Sequence, residues 1–111
     1  VILTSDLSKR YGNRTVVNRL SLQVRQGEIY GFLGLNGAGK TTTIRLLLGM
    51  IRPSEGAAWI FGMRPHPGAL DLWARVGYVV EAPVAYPELT VRENLEVFRW
   101  LRRVTDPKAV E

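Results

Sequence analysis

The chain has 111 residues, 46% of them apolar, and a net charge of +5 from 15 Lys and Arg against 10 Asp and Glu. That length suffices for one domain with a buried core. The absence of cysteine excludes disulfides, thiolate metal sites and a thiol nucleophile, and every apolar run, 46–51 among them, falls far short of the roughly 20 residues that a membrane helix needs.

The N-terminal stretch "VILTSDLSKRY" has no charged start, long apolar centre or cleavage site, so no signal peptide is expected and a soluble, cytoplasmic-type chain is the default. Its composition suits a strand that runs into a turn at Gly12-Asn13. In "RLSLQV" the alternation places Leu20, Leu22 and Val24 on one face and Ser21, Gln23 and Arg25 on the other, which predicts a half-buried strand. After a turn at 26–28, the nearly all-apolar "IYGFLG" at 29–34 predicts a strand buried on both faces. Ile44, Leu47, Leu48 and Ile51 fall at helical spacing, so a helix is expected over 39–50, ended by "RPSEG". "AAWIFG" reads as a short strand, "PHPGALDLWAR" as a turn and a short helix, and "VGYVV" at 76–80 as a second buried strand. An irregular loop over 82–88 leads to Thr90, which with Glu93 three residues later forms a capping box. The helix it opens carries Leu95, Phe98, Leu101 and Val104, and Pro107 bends or ends it.

The positive balance favours anionic partners such as nucleotides, nucleic acid or a lipid headgroup surface. The basic residues are scattered, with only short pairs at Lys9-Arg10 and Arg102-Arg103, so no nucleic-acid arm is indicated. A more specific anion site lies at 34–42, "GLNGAGKTT". It satisfies G-x-x-x-x-G-K-[ST] through Gly34, Gly39, Lys40 and Thr41. Glycine permits positive φ and a close approach of backbone N–H groups to phosphate oxygens. The helix that starts here aims its free amides and positive dipole end at the same anion. Lys40 then reaches the terminal phosphates, the Thr41 hydroxyl ligates Mg²⁺, and Thr42 reaches an inner phosphate. The motif predicts a protein that binds a nucleoside triphosphate with Mg²⁺.

The stretch resembles the P-loop of the ATP-binding cassette (ABC) ATPases, with Asn36, Gly37, Ala38 and Gly39 matching the Asn-Gly-Ala-Gly that the family favours. "LSKRYGNRTVVNRLSLQVRQGEIYGFLG" is similar to the family's N-terminal β region, "GMIRPSEGAAWIFG" to the segment after the P-loop helix, and "VGYVVEAPVAYPELTVRENL" to the loop that reaches the γ-phosphate and continues into the helical subdomain. The resemblance covers nearly the whole chain. It implies an α/β P-loop NTPase fold, with a RecA-like core, an antiparallel β subdomain and the start of a helical subdomain. Residues 1–89 would form the β subdomain and P-loop core, and 90–111 the start of the helical subdomain.

The resemblance also assigns roles. Tyr11 sits where the family stacks an aromatic ring on adenine, and Val16 would line the same base pocket. Glu81 stands where the family usually has the glutamine that meets Mg²⁺ and the attacking water. A carboxylate is a good hard ligand for Mg²⁺, so Glu81 is expected to serve metal and catalysis together with Lys40. Glutamate at this point resembles a branch linked to drug or antibiotic-peptide export. The implied protein is the ATP-hydrolysing subunit of an ABC transporter, peripheral on the inner face of the cell membrane. Its partners would be ATP, a transmembrane permease subunit and a second nucleotide-binding domain, with no nucleic acid.

Neither an apolar run ending in Asp-Glu nor a Ser-Gly-Gly signature occurs. The chain is therefore expected to be the N-terminal part of a longer domain and to be inactive as an ATPase by itself. The rival readings are a soluble ABC ATPase of DNA repair or translation, a small-molecule kinase, and a binding module that never hydrolyses ATP. A kinase predicts an arginine-rich lid and no upstream adenine-stacking tyrosine. His66, between two prolines, reads as exposed and without function, and Trp59, Trp73 and Trp100 as core or subdomain contacts rather than ligand platforms.

Overall fold

The structure, a computed structural model, describes residues 1–33, 39–80, 85–102 and 105–110. The chain divides into two compact units, Val1–Ala69 and Leu70–Glu111.

The first unit is built around one long strand, β1 (Ile2–Tyr11). A two-residue turn at Gly12-Asn13 reverses it into β2 (Arg14–Leu20), with Tyr11 paired to Arg14 and Arg10 to Thr15. Gly12 takes φ 59°, as the first central residue of such a tight hairpin requires. The short β3 (Gln23–Val24) pairs antiparallel with Ile2 and Leu3, and β4 (Glu55–Ile60) pairs antiparallel with the other edge of β1. The alternation expected over 20–25 is seen in burial, but a break at 21–22 separates β2 from β3. β1 carries irregularities in its pairing with both β2 and β4. Near them, Asp6 and Arg19 adopt φ 46° and 47° and Gly56 adopts 76°. A Cβ on Gly56 would collide with the Asp6 carbonyl, so only glycine allows β4 to close on the bulge.

A helix, α1 (Lys40–Leu47), covers this sheet. Leu7, Val17, Leu46 and Ala58 form the buried cluster, with Val16, Leu20, Leu47 and Ile51 packed against it. Each fully buried leucine contributes about 1.5–3 kcal/mol of transfer free energy. The helix face differs from the expected one. Thr43 and Leu46 point inward while Ile44 is exposed, because packing on the sheet, and not apolar spacing alone, selects the face. The helix end differs too. The Gly49 N–H donates to the Leu46 carbonyl and the Met50 N–H to the Arg45 carbonyl, with Gly49 at φ 70°. This Schellman motif stops the helix before Pro53 can act.

Two expected strands do not form. Residues 29–33 and 76–80 have no regular secondary structure; Ile29 and Leu33 are almost fully exposed, and Tyr78 and Val79 are exposed as well. A strand exists only where a neighbour satisfies its backbone N–H and C=O groups, and no described strand pairs with either run. The antiparallel sheet of the first unit is therefore the regular β structure among the described residues.

The second unit holds α2 (Leu70–Trp73), α3 (Val91–Leu101) and a 3-10 turn at Pro107–Val110. Thr90 and Glu93 form the expected capping box in both directions. The Asn94 side chain ties the preceding loop to α3: its amide donates to the carbonyls of Tyr86, Leu89 and Thr90, and its oxygen accepts from the Tyr86 N–H at 2.7 Å. At the other end of α3, Arg102 donates to the Trp73 carbonyl at 3.0 Å and lies over the Tyr78 ring. The helix ends at Leu101, before Pro107. Leu95, Phe98 and Leu101 are exposed, and Val104 lies outside the described residues. Trp100 is 74% exposed and sits beside the Arg99 guanidinium, so it is not a core residue. No helix among the described residues is long and apolar enough to cross a membrane.

Candidate functional site

The β1–β2 turn puts Tyr11 and Arg14 opposite one another at the end of the hairpin. Val16, two residues along β2, projects to the same side as Arg14. Gly39 is buried against this strand: a Cβ there would stand 2.5 Å from the Val16 carbonyl oxygen and 3.4 Å from Val17 Cγ2. Gly39 is the N-cap of α1, at φ 87° and ψ 10°. The lack of a side chain thus serves twice, in the left-handed backbone and in the close approach to β2. The hairpin end and the helix start share one cavity of about 340 Å³, lined by Tyr11, Arg14, Val16, Gly39, Lys40, Thr41 and Thr42.

Six of the residues assigned from the sequence, Tyr11, Val16, Gly39, Lys40, Thr41 and Thr42, therefore meet in one place. Gly34, Asn36, Gly37, Ala38 and Glu81 lie outside the described residues. The sequence reading missed Arg14. The signal was present, since a two-residue turn at Gly12-Asn13 makes Tyr11 and Arg14 cross-strand neighbours. Among the described residues, the Arg14 side chain has no ion-pair or hydrogen-bond partner.

The cavity's chemistry suits a polyanion carrying a flat ring. Gly39 offers no side-chain cap and the first turn of α1 has no acidic residue. Its leading amides are thus not covered by a side chain of that turn, and the positive helix end faces the cavity together with Lys40. The same cavity is lined by the aromatic ring of Tyr11, a residue 53% exposed. The Lys9 ammonium lies 5.2 Å from that ring's centroid and donates to the Arg52 carbonyl at 2.7 Å. Neighbouring contacts join β1 to the same "RPSEG" segment. The Arg10 N–H donates to Ser54 Oγ at 2.9 Å, the Ser54 N–H to the Ser8 carbonyl at 2.8 Å, and Arg10 pairs with Glu55 at 2.9 Å. The tyrosine end of β1 is thereby fastened to the segment that follows α1.

The ABC transporter family model matches residues 17–110. The chain belongs to the ABC transporter family. It is 52% identical over 95 residues to the bacitracin transport ATP-binding protein BcrA of Bacillus licheniformis, covering 86% of this chain and 31% of that protein. It is 45% identical over 98 residues to the Nod factor export ATP-binding protein I of Ralstonia nicotianae, covering 88% of this chain and 30% of that one. Among solved structures, an ATP-binding subunit of an ABC transporter superposes with a TM-score of 0.86 at 34% identity, over 96% of this chain and 44% of its own. The fold is thus the P-loop α/β fold of ABC ATP-binding subunits. This ABC chain spans about a third of the length of the curated relatives it matches.

The other prominent side chains do not join the cavity. His66 is exposed, and its Nδ1 accepts from the Gly68 N–H at 3.1 Å. Trp59 lies beside the Arg64 guanidinium at 5.7 Å. Both belong to the first unit but stand apart from the Tyr11–Lys40 site.

Proposed function

We propose that this chain holds MgATP for an ABC transporter and that ATP binding and hydrolysis drive export through a membrane-spanning partner. The observation that carries the reading is one cavity lined both by an exposed aromatic residue and by the first residues of a lysine-led helix. Adenine stacks on Tyr11 beside Val16, the triphosphate runs to the start of α1, and Lys40 meets its terminal charge. Arg14 adds a second cation on the hairpin side. Gly34, Asn36, Gly37 and Ala38 are assigned to the same phosphate site by the sequence motif. The Thr41 hydroxyl and Glu81 would hold Mg²⁺, which would shield the phosphate charge, and Glu81 would also orient the attacking water. Such groups act in phosphoryl transfer by position and electrostatics.

Export is favoured because relatives are named for bacitracin transport and Nod factor export; none of the relatives reported above carries a name from DNA repair or translation. On this reading the protein sits on the inner face of the cell membrane, docked to a permease subunit, and works with a second nucleotide-binding domain. Residues 1–89 serve as its β subdomain and P-loop core, and 90–111 begin its helical subdomain.

The test is nucleotide affinity in the intact protein. Lys40→Ala removes a charge-assisted contact worth roughly 1.5–3 kcal/mol, so titration with ATP in excess Mg²⁺ should show a loss of about tenfold or more. Undiminished affinity would remove Lys40 from the site.

A further inference from the structure

Tyr11 stands at the last position of β1, beside a two-residue turn, with about half its surface in solvent. A ring so placed keeps its rotamer freedom, and stacking must immobilise it at an entropic cost. One side chain counters this. Lys9 Nζ lies 5.2 Å from the Tyr11 centroid and is itself held by the Arg52 carbonyl at 2.7 Å. Lysine N–H groups point in several directions, so the ammonium can make that bond and still present its charge to the ring.

The neighbouring cations are placed for other tasks. Arg10 is paired with Glu55 at 2.9 Å, and Arg14 lines the cavity itself. Lys9 does not line the cavity. An ammonium beside the ring but outside the cavity lining leaves the ring free to meet a ligand in the cavity.

We propose that Lys9 is a positioning residue for base recognition: its ammonium, anchored on the Arg52 carbonyl, holds the Tyr11 ring and presents it to the adenine. Because Arg52 follows α1, the same tether ties the base platform to the helix that carries Lys40 at its other end. The inference rests on the reading of Tyr11 as the base platform. A cation over an exposed aromatic ring has a modest effect, and its removal should weaken binding about two- to fivefold.

The experiment measures affinity by calorimetry in the intact protein, with a non-hydrolysable ATP analogue and with inorganic triphosphate, for Lys9→Met, Lys9→Arg, Tyr11→Ala and Lys9→Met/Tyr11→Ala. The expected result is that Lys9→Met lowers analogue affinity about two- to fivefold and leaves triphosphate affinity unchanged. Lys9→Arg should retain most of the affinity, because a guanidinium also donates and stacks. In the Tyr11→Ala background, Lys9→Met should have no further effect. Equal loss for analogue and triphosphate would assign Lys9 to the phosphates or to folding and overturn the proposal. Additive losses in the double variant would overturn it as well. Normal analogue binding by Lys9→Met alongside weakened binding by Tyr11→Ala would sink this inference and leave the base site standing. Normal binding by Tyr11→Ala would sink both.

Discussion

In residues 1–69 apolar side chains from four elements converge: Leu7 of β1, Val17 of β2, Leu46 of α1 and Ala58 of β4. In residues 70–111, Leu72 is the one fully buried side chain among the described residues, and α3 buries none. The second unit is instead organised by polar contacts, most of them close in sequence: the Thr90–Glu93 box, the Asn94 bonds to 86–90 and the Glu96–Arg99 pair at 2.8 Å, with the bond from Arg102 to the Trp73 carbonyl as a longer-range tie. Long-range apolar burial makes a unit cooperative, whereas local capping orders a segment without giving it a core. The proposed ligand cavity lies in the unit that has the core. That placement suits a site whose groups come from β1, β2 and α1 and must stay in register.

The sharpest challenge to this contrast is truncation of the two most buried leucines, with amide hydrogen exchange read by segment. Leu7→Ala should cost about 2–5 kcal/mol and reduce protection across β1, β2 and β4. Leu72→Ala, in a four-residue helix of a unit that buries no other side chain among the described residues, should fall at or below the low end of that range, about 2 kcal/mol, with its effect confined to the second unit. Equal losses spread over both units would erase the distinction.

A smaller effect probes local order. Thr90→Ala removes the side chain that accepts from the Glu93 N–H at 3.1 Å. Loss of such a cap costs about 1 kcal/mol, and exchange at the first turn of α3 should speed up while β1 keeps its protection. Broad loss of protection would show that the cap supports more than one helix.

The smallest expected effect concerns pH. Hydrogen bonds from the Thr90 backbone and then its side chain hold the Glu93 carboxyl below its ordinary value of 4.5. A depressed folded value means the carboxylate form is favoured by folding. Its contribution is complete above the ordinary value and is lost as the pH falls through the lower, folded one. Acidification through that window should loosen the start of α3; Glu93→Gln should abolish this dependence, whereas Thr90→Ala, which keeps the backbone donor to Glu93, should only weaken it. A pH response that survived Glu93→Gln would locate the titrating group elsewhere.

Much of the candidate site was legible in the linear order of residues. Gly39, Lys40, Thr41 and Thr42 act through backbone freedom, a helix start and a short side-chain reach, all set within a few residues. The Gly12-Asn13 turn and the Thr90–Glu93 box are equally local, and both are found where the sequence places them. What failed depended on partners. The runs at 29–33 and 76–80 have the composition of buried strands, but composition supplies no neighbour for their backbone groups. The face of α1 was misjudged because the sheet chooses Thr43 and Leu46 over Ile44.

By itself the sequence determined where the chain turns and how α3 begins, because those features depend on interactions spanning only a few positions, and it proposed which residues cradle a phosphate chain on the same local grounds. Tertiary structure alone decided that the hairpin end and the start of α1 share one cavity, that Asp6 bulges against Gly56, and that Lys9 finds the Arg52 carbonyl 43 residues away. Each of those contacts follows from which strand pairs with β1 and where α1 packs on the sheet, a global choice made by apolar burial that no short window of residues encodes.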